Sequence, residues 1–500
     1  MSLKRNITAS YASQIYVTGI GILVFPLYIQ YMGTEAYGLI GFFTMLQAWF
    51  RFLDMGLTPT IGRETARYHG GSMAPLAYRQ LFRALSLIFI AVAVVGGGGL
   101  WLASGLITNS WLKVNELALD EVILAVQIMA ISVALRWMGG LYRGVITGSE
   151  RLVWLSGFNA LIATLRFIAV FVTMWIYGFT PFVFFLHQLI VAILEVSGLF
   201  LMSNQLLPSR EKLNGQIGWS FKPVKPVLKF ALTIAFTSSV WVLVTQTDKL
   251  ILSGILQLAE YGHFTLAVLV ASSILVISGP ISMAIMPRMA RLHAESKHEE
   301  MIRVYRNATQ FVSVIAGSAS ITIAVCAEPL LYAWTGDLEL AKQTAPMLRL
   351  YAIGYGFLAL AAFVYYLQYA LGILRYHLIG NAILVVALIP SITLAAMFYG
   401  GVGAGYVWLV LNGLFLFGWV GYVHKKLQPG LHVNWIKEDI VYIMLPVSLT
   451  SGSIFFVEID VSSRFDSLVY VLVMSFVALL VASLMSPYVR RFLLTKRVGA

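Results

Sequence analysis

Nine ionisable side chains interrupt stretches of this chain that are otherwise apolar enough to sit in hydrocarbon. They are Arg51 and Asp54, Arg136, Arg166, His187 and Glu195, Asp248 and Lys249, and Glu328. A charge near the middle of a bilayer costs about 2.5–3.5 kcal/mol on insertion scales, so such groups must face one another or a wet cavity. Arg136 and Arg166 have no acidic neighbour within a helical turn. They therefore require an anionic ligand or an acid from another helix. With Arg51 and Lys249 they form a set of four candidate substrate-binding cations. Several such donors around one cavity suit a diphosphate, which offers two or more negative charges. Glu195 is the unpaired acid that could carry a proton or pair with one of these arginines. The rest have plainer readings. Arg51 and Asp54, spaced i, i+3, could neutralise each other on one helix face. Asp248-Lys249 could be a structural pair near the outer surface, Glu328 lies near a helix end, and His187 fits a hydrogen-bonded packing role.

Chemistry of the soluble kind is missing from the sequence. There is no phosphate-binding G-x-x-x-x-G-K-[ST] loop, no H-E-x-x-H and no Cys/His cluster with metal spacing, so no metal or cofactor is expected. The glycines at 96–99 fall inside an apolar run and read as close helix packing or a flexible point. Glu458-Ile459-Asp460 is an acidic pair in a short loop without supporting residues. The single cysteine, Cys326, has no intramolecular partner for a disulfide and reads as a small apolar residue.

The elements that must carry these residues follow from composition. Of 500 residues 59% are hydrophobic and 11% charged, and the mean hydropathy is +0.83. Soluble domains carry about 25% charged residues, and so few charges would leave a water-soluble protein of this size uncovered. Apolar runs recur at 7–31, 36–58, 79–107, 122–145, 152–177, 180–203, 227–256, 261–287, 307–334, 345–369, 379–398, 402–423, 440–456 and 468–487. The expectation is an all-α polytopic membrane protein with fourteen transmembrane helices. Lys4-Arg5 precedes a run too long for a signal h-region, and no small-x-small cleavage site follows. With both termini in the cytoplasm, only Lys113, Lys342, Arg349 and Arg464 of the 34 basic residues fall outside, and four more lie within helices. The remaining 26 line the inner side, from Lys4, Arg5, Arg63 and Arg67 to Arg490, Arg491, Lys496 and Arg497. The net charge of +12 thus belongs to one membrane face, which argues against nucleic acid as a partner. A rise of about 1.5 Å per residue puts Arg51 and Arg136 roughly 20 Å below the outer face and Arg166 roughly 20 Å above the inner one.

The chain also repeats itself. Tyr37-Gly38 matches Tyr261-Gly262, Ala66-Arg67 matches Ala290-Arg291, His69 matches His293, and Tyr142, Gly148 and Arg151 match Tyr366, Gly372 and Arg375, always 224 residues apart. An offset of six helices preserves orientation, so the halves are parallel repeats. The expected division is a six-helix bundle at 1–208, a cytoplasmic linker at 209–226 containing Gly215, Gly218, Pro223 and Pro226, and a second bundle at 227–424. Two further helices and a basic tail occupy 425–500. Outer loops are all short. A membrane glycosyltransferase or polymerase usually needs a folded outer domain or long loops, so this sequence argues against an enzyme.

Three groups of residues carry a family resemblance. Met32-Gly33-x-Glu35-x-Tyr37-Gly38-Leu39, then Asp54-x-Gly56-Leu57, then Arg63 and Arg67, look like the first hairpin of the polysaccharide transporter (O-antigen flippase-like) family. That family belongs to the superfamily of multidrug, oligosaccharidyl-lipid and polysaccharide exporters. Asp248-Lys249-x-Ile251-Leu252-x-Gly254 with Glu260-Tyr261-Gly262 is similar to its helix-seven and helix-eight pattern, and Tyr142-Arg143-Gly144-x-x-x-Gly148-x-x-Arg151 resembles its helix-four to helix-five turn. The resemblance covers roughly twelve helices. It implies a flippase that moves an undecaprenyl-diphosphate-linked oligosaccharide across a bacterial inner membrane by alternating access, for O-antigen, capsule or exopolysaccharide. It further implies coupling to H+ or Na+, for which Asp54, Glu195 and Asp248 are the candidates, and membrane partners of the same export pathway. Two rivals are an ion-coupled multidrug antiporter of the same superfamily and a polyprenyl-linked glycosyltransferase or polymerase. Four embedded basic groups against four acidic ones do not favour a cationic drug.

Overall fold

The computed structural model describes residues 3–209, 211, 213, 215–455 and 463–495. Glu458-Ile459-Asp460 lies outside the described residues, as do Arg210, Lys212, Lys496 and Arg497 of the inner basic set and the side chains of Lys4, Arg5 and Lys229. Among the described residues there are helices and no strand. We label the main helices α1 (Leu3–Met32), α2 (Thr34–Phe52), α3 (Leu57–His69), α4 (Pro75–Leu102) and α5 (Leu119–Gly148). They continue with α6 (Leu152–Tyr177), α7 (Pro181–Leu206), α8 (Lys225–Ile255), α9 (Leu258–Ala294), α10 (His298–Val325) and α11 (Ala327–Thr335). The last are α12 (Leu338–Leu371), α13 (Arg375–Leu427), α14 (Tyr442–Phe455), α15 (Arg464–Met485) and α16 (Pro487–Thr495).

Eleven helices among the described residues are long and apolar enough to cross a membrane. They differ from the fourteen expected runs at three places. The run expected at 36–58 is broken: α2 stops at Phe52, and α3 starts at Leu57. The runs expected at 379–398 and 402–423 join in α13, whose only non-helical residue is Gly400, at φ 58° and ψ −146°. The run expected at 440–456 is α14, which is not among the eleven.

Packing divides the chain into two compact units, Met1–Gly262 and His263–Ala500. In the first, α5 is the central rod, packed against α3, α4 and α7, while α1 packs along α6 and α8 lies on α2 and α3. The close approach of α3 to α5 depends on Gly140, Gly144 and Gly148, one per turn on one face. A Cβ at these positions would meet Thr58 Oγ1 at 2.7 Å, Thr58 O at 2.7 Å and Thr65 Cβ at 2.7 Å respectively. With no hydrophobic drive between rods in lipid, such small-residue stripes let backbones touch and gain dispersion contacts. Two of these glycines stand in the Tyr142-Arg143-Gly144 motif, so its glycines serve packing. The repeat-related Gly38 and Gly262 also abut: a Cβ on Gly262 would lie 2.6 Å from Thr34 O and 3.3 Å from Gly38 N.

In the second unit α12 is the most enclosed span, and it packs against α11 and α13. The added helices α14 and α15 pack on each other and on α10, with α15 also against α11. Their end near α16 is fastened by one buried carboxylate. Asp439 accepts from Arg306 Nε at 2.7 Å, Arg306 Nη2 at 3.1 Å and Gln310 Nε2 at 2.7 Å. Gln310 Oε1 in turn accepts from Ser486 Oγ at 3.1 Å and Tyr488 N at 3.0 Å.

Candidate functional site

α5 and α7 place polar residues on one another in a regular register. Arg136 and Arg143 are seven apart on α5, and Gln188 and Glu195 are seven apart on α7. Seven residues is close to two turns, so each pair shares a face. Arg136 Nη2 donates to Gln188 Oε1 at 2.8 Å, and Arg143 Nη2 donates to Glu195 Oε1 at 2.5 Å. Numbers rise together on both helices, so they run parallel, and the contact is a ladder with two rungs. α2 adds Gln47, whose Oε1 accepts from Arg136 Nη1 at 2.8 Å, while Phe43 presents its ring 5.1 Å from the Arg136 guanidinium.

α6 supplies the third arginine through a local irregularity. Leu165–Ala169 forms a widened, π-type turn. Such turns free backbone carbonyls from the α-helical ladder, and here three in succession have side-chain partners. Gln188 Nε2 donates to Arg166 O at 3.0 Å, Tyr28 Oη donates to Phe167 O at 3.2 Å, and His187 Nε2 lies 2.9 Å from Leu165 O. His187 Nδ1 is also 2.9 Å from Thr173 Oγ1, so this ring ties α7 to α6. The Arg166 side chain reaches α7, where Nη2 donates to Glu195 Oε2 at 2.7 Å. Glu195, with its side chain 8% exposed, is therefore held by two guanidinium groups, and Arg143 is steadied by Asn159 Oδ1 at 2.6 Å.

Two cavities flank this cluster. The first, of 160 Å³, is lined by Arg51, Arg136 and Arg166 with Gln47, Gln188 and aromatic residues. No carboxylate lines it. The Nε atoms of Arg136 and Arg166 are buried without a partner among the described residues, and no hydrogen bond or ion pair reaches Arg51 there. A buried guanidinium donor left unspent costs free energy unless a ligand or water takes it. The second cavity, of 340 Å³, opens between α1 and α6 and is lined by Arg143, Arg166, Glu195 and Asn159 with hydroxyl and amide groups of α1. Arg166 lines both.

Of the residues singled out in the sequence, Arg51, Arg136 and Arg166 thus share one cavity, and Glu195 lies beside it. Asp54 is elsewhere employed. It sits in the break between α2 and α3, where its carboxylate accepts from Thr58 N at 3.2 Å and from Thr58 Oγ1 at 2.5 Å, an N-terminal cap for α3. Met55 at φ 45° and Gly56 at φ 70° complete the turn. No Arg51–Asp54 ion pair is present among the described residues. Asp248 and Lys249 line neither cavity. Lys249 Nζ donates to Thr245 O at 2.5 Å and to Asp248 Oδ1 at 3.4 Å, a pair on α8 itself. Sequence reasoning missed Gln47, Gln188, Asn159 and the site role of Arg143. The seven-residue spacing from Arg136 to Arg143 and from Gln188 to Glu195 was the available signal.

In the second unit an open cleft of 650 Å³ is lined by Arg303, Arg306, Lys437, Arg491 and two glutamates. Its Arg306 is already spent on Glu438 at 2.5 Å and on Asp439, so it serves the helix clamp described above.

The family model described as "Polysaccharide biosynthesis protein" matches residues 3–293. Among solved structures the chain is similar to a lipid II flippase MurJ in an inward closed conformation. The TM-score is 0.69 at 13% identity, covering 96% of this chain and 98% of that one. It is similar to an inward-facing multidrug resistance MATE family transporter of the MOP superfamily, with TM-score 0.64 and 13% identity over 83% of this chain and 96% of that one. A third likeness is to a MOP superfamily transporter from Pyrococcus furiosus, with TM-score 0.51 and 12% identity over 84% and 95% of the two chains. At these identities the likeness is one of fold. No curated protein sequence matches the chain.

Proposed function

Because the chain belongs to the polysaccharide biosynthesis protein family, whose matched residues contain the arginine cluster, we propose that it is a lipid-linked oligosaccharide flippase. Family and fold are those of membrane flippases and transporters. The substrate is a repeat unit on undecaprenyl diphosphate, moved from the inner to the outer leaflet of a bacterial inner membrane for O-antigen, capsule or exopolysaccharide. It crosses fourteen helices' worth of membrane protein with both termini cytoplasmic. The bundles at 1–208 and 227–424, joined by the linker at 209–226, alternate access, and the helices within 425–500 are an addition. Proteins of the same export pathway are its partners.

One observation carries this reading. Three guanidinium groups line a single cavity with no carboxylate among its lining residues, and two of them hold buried Nε donors that nothing takes up. A planar fork with unspent donors matches phosphate oxygens. A cationic drug would be repelled by the same wall, which sets the antiporter reading second. Coupling to H+ or Na+ is sought at Glu195, Asp54 and Asp248, and Lys249 remains a fourth candidate cation outside this cavity.

The test is surface polysaccharide in cells lacking the chromosomal copy. Arg136→Ala is expected to lower export at least tenfold with normal protein level in the membrane, and Arg136→Lys to recover part of it. Full export by Arg136→Ala and Arg166→Ala alike would remove the cluster from the transport path.

A further inference from the structure

The second cavity has a different chemistry from the first, and the difference names a ligand. α1 is an apolar rod, yet Ser10, Gln14 and Thr18 recur on it every four residues and all line this cavity. Their side chains have no hydrogen-bond partner among the described residues. Neighbouring Ser13, by contrast, is spent on Ser156 O at 2.9 Å. A stripe of unspent hydroxyl and amide groups is costly against acyl chains and belongs against water or a polar ligand. Opposite the stripe stand Asn159, Arg143 and the Glu195 carboxylate. Glu195 already neutralises one of its two arginines, so the wall is rich in neutral donors and acceptors rather than in positive charge.

Such a wall fits a polyhydroxylated, uncharged group. Hydroxyls are both donors and acceptors, and amides, carboxylates and guanidinium forks meet neighbouring pairs of them. In a sugar diphosphate the first sugar is bonded directly to the phosphate, so a phosphate site and a sugar site for it must adjoin. The two cavities do adjoin, through Arg166, which lines both. We propose that they are two subsites of one cleft: the arginine cavity takes the diphosphate, and the α1–α6 cavity takes the first sugar attached to it. This rests on the function proposed above and adds where in the chain the carbohydrate is sensed.

The experiment uses the purified full-length protein and two lipids with the same tail. One is undecaprenyl diphosphate without sugar. The other is the lipid-linked oligosaccharide extracted from a transporter-deleted strain of the source bacterium. The wild type is expected to bind the sugar-bearing lipid at least tenfold more tightly. Gln14→Ala with Thr18→Val, both away from the packed core, is expected to abolish most of that preference while changing the affinity for undecaprenyl diphosphate less than twofold. Arg136→Ala is expected to weaken both lipids together. A preference that survives in the double variant, or an equal loss for both lipids, overturns the sugar subsite. So does an altered Na+ or pH dependence of transport with the preference intact, which would make the cavity an ion route. Binding of both lipids without any wild-type preference overturns the subsite alone, whereas binding of neither overturns the flippase reading itself.

Discussion

Glu195 answers to two arginines at once, and that shapes what its loss should do. Its oxygens are divided between Arg143 and Arg166 at 2.5 and 2.7 Å. Removing one member of a buried pair strands the other charge, which typically costs about 3–5 kcal/mol. Because both guanidinium groups are about a quarter exposed, at 30% and 24%, screening sets the expected cost of Glu195→Gln nearer to about 2–3 kcal/mol. Melting of the purified protein measures it. In a double-mutant cycle, Glu195→Gln with Arg143→Gln should cost less than the two single changes added, since each removes the other's stranded charge. Strict additivity would mean that the pair is not coupled. That Arg136 and Arg166 need partners was legible from their lack of local acids. Which partners they take was not, because Gln47, Gln188 and Glu195 stand on other helices, and chain distance does not order through-space contact.

At the scale of elements, the helices are read from apolar length, but their contacts are set by small residues and irregular turns. Gly148→Ala puts a methyl 2.7 Å from Thr65 Cβ at the α3–α5 contact. Overpacking of this kind costs about 1–3 kcal/mol, and the variant should melt at a lower temperature than the wild type. Gly157→Ala on α6 meets nothing within 4 Å and should be neutral or stabilise by up to about 1 kcal/mol through helix propensity. Equal melting of the two variants would refute the stripe as a packing device. The break at 53–56 was hidden by composition, since Leu53-Asp54-Met55-Gly56-Leu57 reads as part of an apolar run. Asp54 and Gly56 carry the stop and restart signals, a cap donor acceptor set and a left-handed φ. The widened turn at Leu165–Ala169 had no sequence signal of its own, because its cause is the side chains of α1 and α7 that take its carbonyls.

At the scale of the whole molecule, the duplication is real in spacing and unequal in chemistry. The positions 224 residues beyond Arg136, Arg143 and Glu195 are Leu360, Leu367 and Trp419. The polar ladder of the first repeat is thus apolar in the second, and Leu360 and Leu367 are buried. Crossing number is testable against α13. Its 53 residues would span about 80 Å at 1.5 Å per residue, more than twice the roughly 30 Å of hydrocarbon, so it should cross twice with Gly400 at the turn. Cys326 is the sole cysteine, and Cys326→Ala provides a blank background. In intact cells an impermeant maleimide should label single cysteines at Glu116 and Tyr399 and leave those at Glu150, Glu295, Arg375 and Lys426 unlabelled until the membrane is opened. Labelling of Tyr399 and Lys426 from one side would refute the double crossing.

Residue order carried everything that depends on the solvent and on counting: the choice of lipid over water, the helical class, the basic inner face, the doubling and the identity of costly buried ions. These follow from composition and period, which are properties of the string. The joining of Arg51, Arg136 and Arg166 around one cavity, the arrest of Asp54 as a cap, and the hydroxyl-lined recess beside Glu195 came from packing alone. Each depends on which faces of separate rods meet, and in a chain apolar on every side of most helices the sequence holds no amphipathic mark to say which face that is.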